Sequence, residues 1–279
     1  MSTNHYTFGD GDVALARLDR LAAAYEVASR AFLRTVIPLT AEARPRAVDL
    51  GCGPGNTTRL VAAMVRPRRL DAYDASERYV AIARERLAAS ALASARAARV
   101  HRDDVTTGSF ARHSPDLIYA RHLLTHVAEP GALLQTAAAA LAPHGILAVE
   151  ETAGLDNSDP FFHRYYQLVA ALQAQYGQRT TIGRDLGELA STGGLVVIDY
   201  SVRAHSLPAA TMAALHGANI ATWKHDPFAA EAFDPTEVAD LERYFASVAH
   251  GRITTSPTSA PIGQLIVRAR SGPRGISHT

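Results

Sequence analysis

Short apolar runs alternate with stretches of helical periodicity through the first half of the chain. The strand candidates lie at 47–50, 70–73, 99–102, 117–120 and 146–150, and all except 99–102 (Arg-Val-His-Arg) are mainly apolar. Short, mainly apolar runs are typical of parallel strands that are buried on both faces. Apolar residues at helical spacing predict helices between them at 57–65, 77–95 and 130–142. This alternation predicts βαβ units, and therefore an α/β domain built on a parallel sheet.

The pattern differs on either side of this region. Apolar residues recur at helical spacing from about Asp12 to Val36, which predicts one or two amphipathic helices before the first strand. After Glu151 the predicted helices lie at 159–176, 183–191, 208–222 and 235–249, and the predicted strands at 195–202 and 261–268. The connection from about 206 to 256 is long for two strands of one sheet, which is typical of a lid or an added subdomain.

The most informative segment runs from Val48 to Thr58 and contains three glycines at alternate positions, Gly51, Gly53 and Gly55. A main chain without Cβ atoms lets a ligand lie directly against it. The helix predicted immediately afterwards has free N–H groups at its N-terminus. Together these features predict a cradle for a nucleotide-type cofactor at the first βα turn of an open α/β sheet.

The spacing within this loop discriminates between cofactors. A dinucleotide site has the pattern Gly-x-Gly-x-x-Gly with a phosphate on the helix N-terminus, whereas this chain has Gly-x-Gly-x-Gly. Asp49 precedes the first glycine by two residues, where its carboxylate would repel a pyrophosphate. A carboxylate there suits a cationic ligand, such as one with an amino group and a sulfonium. An NAD(P)-dependent oxidoreductase and a purely structural glycine loop stay as alternatives.

The glycine-rich segment resembles motif I of the class I S-adenosylmethionine (SAM) methyltransferases, and the resemblance extends over about residues 45–151. It implies an α/β, Rossmann-like class I methyltransferase fold, with a seven-stranded, mostly parallel sheet, helices on both faces, an antiparallel last strand and a helical cap. The expected segments are an N-terminal helical cap segment at 1–40, a SAM-binding core at 41–205, a helical lid or insertion at 206–256, the last core strand at 257–270 and a disordered tail at 271–279.

The resemblance also assigns residues to the cofactor. Asp74 follows Gly55 by 74 − 55 = 19 residues, close to the spacing of a carboxylate that binds ribose hydroxyls, although such a residue can also cap a helix. Tyr79 is placed against the adenine, where it is either a stacking ring or an ordinary core aromatic. Asp104 is aligned with the acid that meets the adenine amino group, with Asp103 as the alternative. The predicted cofactor-binding residues are Tyr25, Asp49, Gly51, Gly53, Gly55, Thr58, Asp74, Ala75, Tyr79, Asp104, Val105, Ala120 and Arg121.

Three side chains are candidates for a catalytic base. His122 leaves the fourth strand beside the expected methyl group, His126 follows four residues later, and Glu151 lies at the exit of the fifth strand. A positioned base accelerates such a transfer by about 10²–10⁴ when the nucleophile must lose a proton. Each histidine is also compatible with a structural role as a hydrogen-bonded residue or a helix cap. An acceptor that is already an anion, such as a carboxylate, needs no base.

The acceptor pocket is expected among side chains of the additions around the sheet. The candidates are Tyr6, Phe8, Tyr25, Phe161, Phe162, His163, Tyr165, Tyr166, His216, Asn219, Trp223 and His225. Aromatic residues of this kind suit an apolar or planar small molecule. The chain lacks the Asn/Asp-Pro-Pro-aromatic segment that members acting on nucleic-acid bases often carry, which argues against a base as acceptor.

The composition of the chain limits which binding partners and which cellular compartment we expect. With 28 Lys and Arg against 27 Asp and Glu, nothing predicts affinity for nucleic acid or for an anionic membrane. The single cysteine, Cys52, excludes an intrachain disulfide framework and fits a reducing, cytoplasmic location. Neither a signal-type leader nor an apolar run of about 18 residues is present, so we expect no membrane span. His101 and Asp103 alone are too few to predict a metal site.

The leading hypothesis is therefore SAM-dependent methyl transfer to a small molecule by in-line displacement, for example in secondary metabolism. The attacked atom, O, N or C, and the acceptor itself stay open, and a homodimer is compatible with the sequence. A glycine loop reports cofactor binding and not chemistry. The alternative is accordingly a SAM-binding protein that assists a non-methylating reaction such as a cyclisation.

Overall fold

The computed structural model describes residues 8–269 of the chain. Its strands are β1 (Arg46–Leu50), β2 (Arg69–Asp74), β3 (Arg99–Arg102), β4 (Leu117–Arg121), β5 (Ile146–Thr152), β6 (Val196–Arg203), β7 (Ser206–Leu207), β8 (Thr258–Ser259) and β9 (Ile262–Arg268). Seven of them form one sheet in the order β3-β2-β1-β4-β5-β9-β6, while β7 and β8 pair with each other. Within the seven-stranded sheet, β9 lies antiparallel to both of its neighbours, and the other four pairs are parallel. The seven-stranded, mostly parallel sheet with an antiparallel last strand is thus confirmed.

Ten helices surround the sheet in the described part of the chain. They are α1 (Asp12–Val36), α2 (Asn56–Val65), α3 (Glu77–Ala88), α4 (Ala93–Arg96), α5 (Pro130–Ala140), α6 (Pro160–Gln175), α7 (Leu186–Thr192), α8 (Ala209–Trp223), α9 (Pro227–Ala232) and α10 (Pro235–Ala249). Most lie within a few residues of the predicted positions. The short helix α9 was not predicted, because six residues carry too little periodicity to be distinguished from a loop.

The helix predicted over 77–95 is in fact two helices, α3 and α4. This region is rich in alanine, a strong helix former, and has neither glycine nor proline to indicate a break. The break comes from Ser90, whose side-chain oxygen accepts a hydrogen bond from the backbone N–H of Leu92 at 3.2 Å. Serine side chains compete with the helix for backbone donors in this way.

Three helices of the second half begin at the same dipeptide. Helices α6, α9 and α10 each start with a proline that follows an aspartate, namely Asp159, Asp226 and Asp234. Each aspartate accepts a hydrogen bond from a backbone N–H of the first turn, at 2.9, 3.0 and 2.8 Å respectively. Aspartate satisfies a donor that the helix leaves open, and proline has no N–H to satisfy. The starts of these helices are therefore fixed locally.

The core has three parts. Two hydrophobic clusters cover the two faces of the main sheet, around Ile118 on one face and Tyr119 on the other. The third, the cap cluster, contains no residue of β1–β5 and is built mainly from α1, α6, α8 and α10 around Phe162, Trp223 and Phe245. The cap therefore has a hydrophobic core of its own.

Some expectations are not decided by this architecture. The division of the chain at 40, 205 and 256 stays a prediction. Tyr6 and the tail at 271–279 lie outside the described residues. Among residues 8–269, no helix combines the length and the apolar character needed to cross a membrane.

Candidate active site

The glycine-rich loop turns sharply at the end of β1. The backbone N–H groups of Gly51 and Cys52 donate to the carbonyl oxygen of Tyr73 on β2, at 2.9 and 3.0 Å. Gly51 has a φ of +68°, and a Cβ atom there would lie 2.8 Å from Cδ1 of Leu123. The conformation and the space both require glycine. The loop consequently exposes bare main chain at the carboxyl edge of the sheet, as a cofactor cradle requires.

Asp49 lies behind this loop and is fully buried. One of its carboxylate oxygens, Oδ2, accepts hydrogen bonds from the hydroxyl groups of Thr57 (2.8 Å) and Thr58 (2.7 Å). The other oxygen, Oδ1, has no hydrogen-bond partner among the described residues. Burial raises the pKa of Asp49 to about 6. A buried carboxylate that lacks one partner is stabilised by a nearby positive charge, and Arg121 acts on Asp49 in this way.

The first cavity, the cofactor cavity, lies beside the loop at the ends of β1, β2 and β3. Seven of the predicted cofactor residues line it, namely Gly51, Gly53, Asp74, Ala75, Tyr79, Asp104 and Val105. Asp74 accepts hydrogen bonds from the N–H groups of Gly53 (2.8 Å) and Ser76 (2.9 Å). The side chain that caps α3 is Ser76 and not Asp74. Asp103 lines this cavity as well as Asp104, so their alternative roles stay open.

Residues before α1 close one side of the cofactor cavity. Gly9 and Asp10 line it. The hydroxyl of Tyr79 donates to the carbonyl oxygen of Gly9 at 3.1 Å, and the hydroxyl of Ser76 donates to Asp10 at 2.9 Å. Sequence reasoning missed this segment because no local pattern connects it to Ser76 and Tyr79, more than 60 residues away.

The second cavity, the acceptor cavity, lies between the loop and the cap. Helices α1, α6 and α8 form much of its wall. Gly51, Gly53, His122 and His126 line both cavities. A ligand in one cavity therefore meets a ligand in the other at these four residues, which we call the junction.

His122 occupies the junction in a strained conformation. Its φ of +52° is unusual for a residue other than glycine, and its N–H donates to the carbonyl oxygen of Glu150 at 2.9 Å. The ring lies edge-on to Tyr25, with centroids 4.9 Å apart, and Nε2 has no hydrogen-bond partner among the described residues. Burial, followed by the charges of Arg121 and Arg17, lowers the pKa of His122 well below its ordinary value. The imidazole is therefore neutral at physiological pH.

The other two candidates for a base have different surroundings. Burial, and next the charge of Arg17, lowers the pKa of His126 to about 3, so this ring is neutral as well. Glu151 is fully buried and lines neither cavity. Its Oε1 accepts hydrogen bonds from the backbone N–H groups of Leu123 (2.7 Å) and Leu124 (2.6 Å). Glu151 is placed to hold the turn that carries both histidines, and not to take a proton from an acceptor.

Two arginines give the acceptor cavity its charge. Arg121 donates to the hydroxyl of Ser29 at 3.1 Å, and no carboxylate of the described residues lies within ion-pair distance of it. Arg17 is 7% exposed, donates through Nε to the side-chain oxygen of Asn219, and lies over the ring of Phe8 at 4.1 Å. Within residues 8–269, no Asp or Glu lines this cavity. The cavity is therefore electropositive.

A family model described as a methyltransferase domain matches residues 21–200. The chain belongs to this methyltransferase family. Membership confirms the resemblance that the glycine-rich loop and the following strand ends suggested.

Relatives with curated names match part of this methyltransferase chain. A protein of Variovorax paradoxus named trans-aconitate 2-methyltransferase is 39% identical over 135 residues, which are 48% of this chain and 47% of that protein. Another of the same name, from Paracidovorax citrulli, is 35% identical over 153 residues, 55% of this chain and 52% of that protein. The matches thus span about half the length of each relative.

Solved structures of low identity share the fold. The cyclopropane synthase MmaA2 from Mycobacterium tuberculosis has a TM-score of 0.53 at 16% identity, over 85% of this chain and 83% of that one. The [4+2]-cyclase SpnF has a TM-score of 0.54 at 18% identity, over 87% of this chain and 81% of that one. Their different names agree with the rule that this fold alone does not decide the reaction.

The structure separates the remaining predicted cofactor residues of this methyltransferase into two groups. Tyr25 and Arg121 line the acceptor cavity, next to the junction. Asp49, Gly55, Thr58 and Ala120 line neither cavity. Gly55 instead lets α2 pack closely on α3, because a Cβ atom there would lie 3.3 Å from Cα of Ala83. These four residues shape the loop from behind.

The expected acceptor residues are divided in the same way. Those that line the acceptor cavity are Phe8, Tyr25, Tyr165, Tyr166, His216 and Asn219, while Phe161, Phe162, His163, Trp223 and His225 do not. Phe161 stacks on Tyr244, with ring centroids 4.0 Å apart, and Trp223 is fully buried in the cap cluster. Arg17 was missed, although its spacing from Leu21 and Tyr25 on one face of α1 is a signal that could have identified it.

Proposed function

We propose that this protein transfers the methyl group of SAM to a carboxylate of a small organic acid and so forms a methyl ester. The observation that carries this proposal is the charge of the acceptor cavity, which contains Arg17 and Arg121 but no acidic side chain of the described residues. Guanidinium groups are permanently charged and bind carboxylates in a defined geometry. The names of the two relatives, which refer to a carboxylic acid, support the same conclusion.

The residues present fit SAM. Gly51 and Gly53 provide the bare main chain at the junction, and Asp74 offers a carboxylate to ribose hydroxyls in the cofactor cavity. Tyr79, Asp104 and Val105 would surround the adenine. The methionine end would extend past the loop toward Tyr25 and Arg121. When bound, SAM supplies an electrophilic methyl group on a sulfonium.

The chain contributes positioning rather than proton transfer. A carboxylate is ionised at neutral pH and already nucleophilic, so the neutral state of His122 and His126 is no disadvantage. The junction would hold the attacking oxygen in line behind the methyl group, and the cap would exclude water; such alignment supplies several kcal/mol, at most about 7–11. We assign the closure of this cavity to α1 together with the segment 206–256.

A direct test incubates the purified protein with SAM and trans-aconitate. We expect S-adenosylhomocysteine and a methylated acid that dilute hydroxide converts back to trans-aconitate, because esters hydrolyse and N- or C-methyl groups do not. Formation of S-adenosylhomocysteine with a product that resists hydroxide would contradict the ester. Absence of turnover with trans-aconitate and with a panel of other small carboxylic acids would contradict the acceptor class.

The variant His122→Asn tests whether a base is needed. Asparagine tolerates a positive φ better than other residues with a Cβ atom, so the backbone is expected to keep its conformation. We predict that kcat falls by less than about tenfold and that kcat of the native protein is level from about pH 6 to about pH 9, because the histidine does not accept a proton. A loss greater than about 10²-fold, or a rate that rises through the ordinary pKa range of histidine, would show that His122 is a general base.

A further inference from the structure

The cap end of the acceptor cavity is formed by buried polar side chains from three helices. Arg17 comes from α1, Tyr165 from α6, and His216 and Asn219 from α8, and none of them is more than 7% exposed. None of them lines the cofactor cavity. Buried polar atoms nearly always have partners. Nδ1 of His216, however, has none among the described residues, although the ring lines the cavity.

The position of the proton on His216 follows from its contact with Tyr166. The hydroxyl of Tyr166 lies 3.2 Å from Nε2 of His216, and the structure gives that hydroxyl no other acceptor among the described residues. The hydroxyl is therefore the donor, because the opposite direction would leave its proton unpaired.

Both partners of this hydrogen bond, the phenol of Tyr166 and the imidazole of His216, are neutral. Burial raises the pKa of Tyr166, so the phenol keeps its proton. Burial, followed by the charge of Arg17, lowers the pKa of His216 to about 3, so the imidazole carries a single proton. Because Nε2 accepts a hydrogen bond, that proton lies on Nδ1. Nδ1–H is therefore a hydrogen-bond donor at the wall of the cavity.

Tyr165 is a second donor on the same wall. Its ring stacks on His216 with centroids 4.2 Å apart, and its oxygen accepts a hydrogen bond from Nδ2 of Asn219 at 2.7 Å. No acceptor for its own hydroxyl proton lies among the described residues, and burial raises its pKa so that the proton stays. Arg17, fixed by its hydrogen bond to Oδ1 of Asn219, adds the positive charge.

We propose that Arg17, Tyr165 and His216, which we call the donor wall, bind a carboxylate of the acceptor other than the one that is methylated. The proposal rests on the proposed function. A carboxylate accepts several hydrogen bonds and pairs with a guanidinium, so it satisfies a wall that offers only donors. Because none of the three side chains lines the cofactor cavity, we place this carboxylate away from the methyl group. The acceptor therefore carries at least two carboxylates.

Binding of two matched probes to the protein saturated with S-adenosylhomocysteine tests this assignment. Glutaconate has two carboxylates, and trans-2-pentenoate is the same chain with a methyl group in place of one of them. We expect Tyr165→Phe to lower the affinity for glutaconate about tenfold, which is the effect of one lost hydrogen bond to a charged group. The affinity for 2-pentenoate is expected to change less than threefold. Tyr176→Phe, which removes a phenol near the end of α6 outside both cavities, is the matched control and leaves both affinities unchanged.

A second variant and a spectroscopic measurement distinguish recognition from packing. Arg17→Met keeps the approximate length of the side chain. It is expected to lower the affinity for glutaconate about 100-fold, while the affinity for 2-pentenoate changes less than threefold. The ¹⁵N resonances of His216 are expected to show an unprotonated Nε2 and a protonated Nδ1 in the folded, unliganded protein. If both variants lose affinity equally for the two probes, or if the proton of His216 lies on Nε2, the assignment of the donor wall is wrong.

This experiment separates the two proposals. If the protein discriminates between the probes as expected but never releases S-adenosylhomocysteine with SAM and any carboxylic acid, the donor wall holds and the proposed function fails. If the protein methylates 2-pentenoate as well as glutaconate, the proposed function holds and the donor wall fails.

Discussion

Gly51→Ala is expected to abolish cofactor binding, with the affinity for S-adenosylhomocysteine reduced at least about 100-fold. The added Cβ atom meets Cδ1 of Leu123 at 2.8 Å, a distance that requires either the loop or the turn carrying the histidines to move. Alanine at a φ of +68° also costs about 1–2 kcal/mol in backbone conformation. Because Gly51 lines both cavities, either movement changes the junction. Isothermal titration calorimetry with S-adenosylhomocysteine measures the effect.

Gly251→Ala is the matched control for this prediction. Gly251 has a φ of +72°, and an added Cβ atom would have no heavy atom within 4 Å. Alanine at this position therefore has a similar cost in backbone conformation, but it lies outside the site. The expected result is a slightly lower melting temperature with unchanged cofactor affinity. If Gly51→Ala binds S-adenosylhomocysteine as well as Gly251→Ala does, the bare main chain of the loop is not the cofactor cradle.

The second large effect is a pH dependence of stability that originates at Glu151. Burial raises the pKa of this carboxyl group to about 7 from the ordinary 4.5. The folded state consequently binds the proton more tightly than the unfolded state. The stabilisation is complete below about pH 4.5 and is lost as the pH rises through about 7. The shift corresponds to about 3 kcal/mol, which Glu151→Gln is expected to remove from the pH dependence of the free energy of unfolding.

Glutamine is suitable here because its side-chain oxygen can still accept from the N–H groups of Leu123 and Leu124. Urea unfolding of the native protein and of Glu151→Gln, at several values between about pH 4.5 and about pH 8, gives the difference directly. The exposed substitution Glu231→Gln is the control, for which we expect no pH-dependent difference. A constant difference between the native protein and Glu151→Gln would contradict the account. If kcat of Glu151→Gln falls by more than about 10²-fold, Glu151 acts as a catalytic base.

The sheet, and the grouping of seven predicted residues around one cavity, were predictable because their signals are local. A buried parallel strand is a short apolar run, and the cradle lies where the first such run meets three glycines. Asp74 and Asp104 were found in the same way, at the ends of the next two strands of the sheet. Where a signal was weak, as in the alanine-rich region around Ser90, the prediction of a single helix was wrong.

The acceptor cavity was only partly predictable because it is built from residues that are far apart in the chain. Arg17 and Asn219 form one hydrogen bond across 202 positions. The proton on His216 depends on Tyr166, which is 50 positions earlier in the chain and which no spacing rule connects to it. Glu151 stays a predicted candidate base, but the structure adds what the sequence could not show, namely two backbone donors on its carboxylate. Side chains that position others have no signature in a single sequence.

The most direct measurement of the central claim is the ¹³C spectrum of a reaction run with SAM labelled at its methyl carbon and trans-aconitate as acceptor. If the junction delivers the methyl group to a carboxylate oxygen, the label appears at the frequency of an ester methoxy group and as S-adenosylhomocysteine accumulates. A label that appears on nitrogen or carbon, or that stays on the sulfonium while the donor and the acid are both bound, contradicts the account.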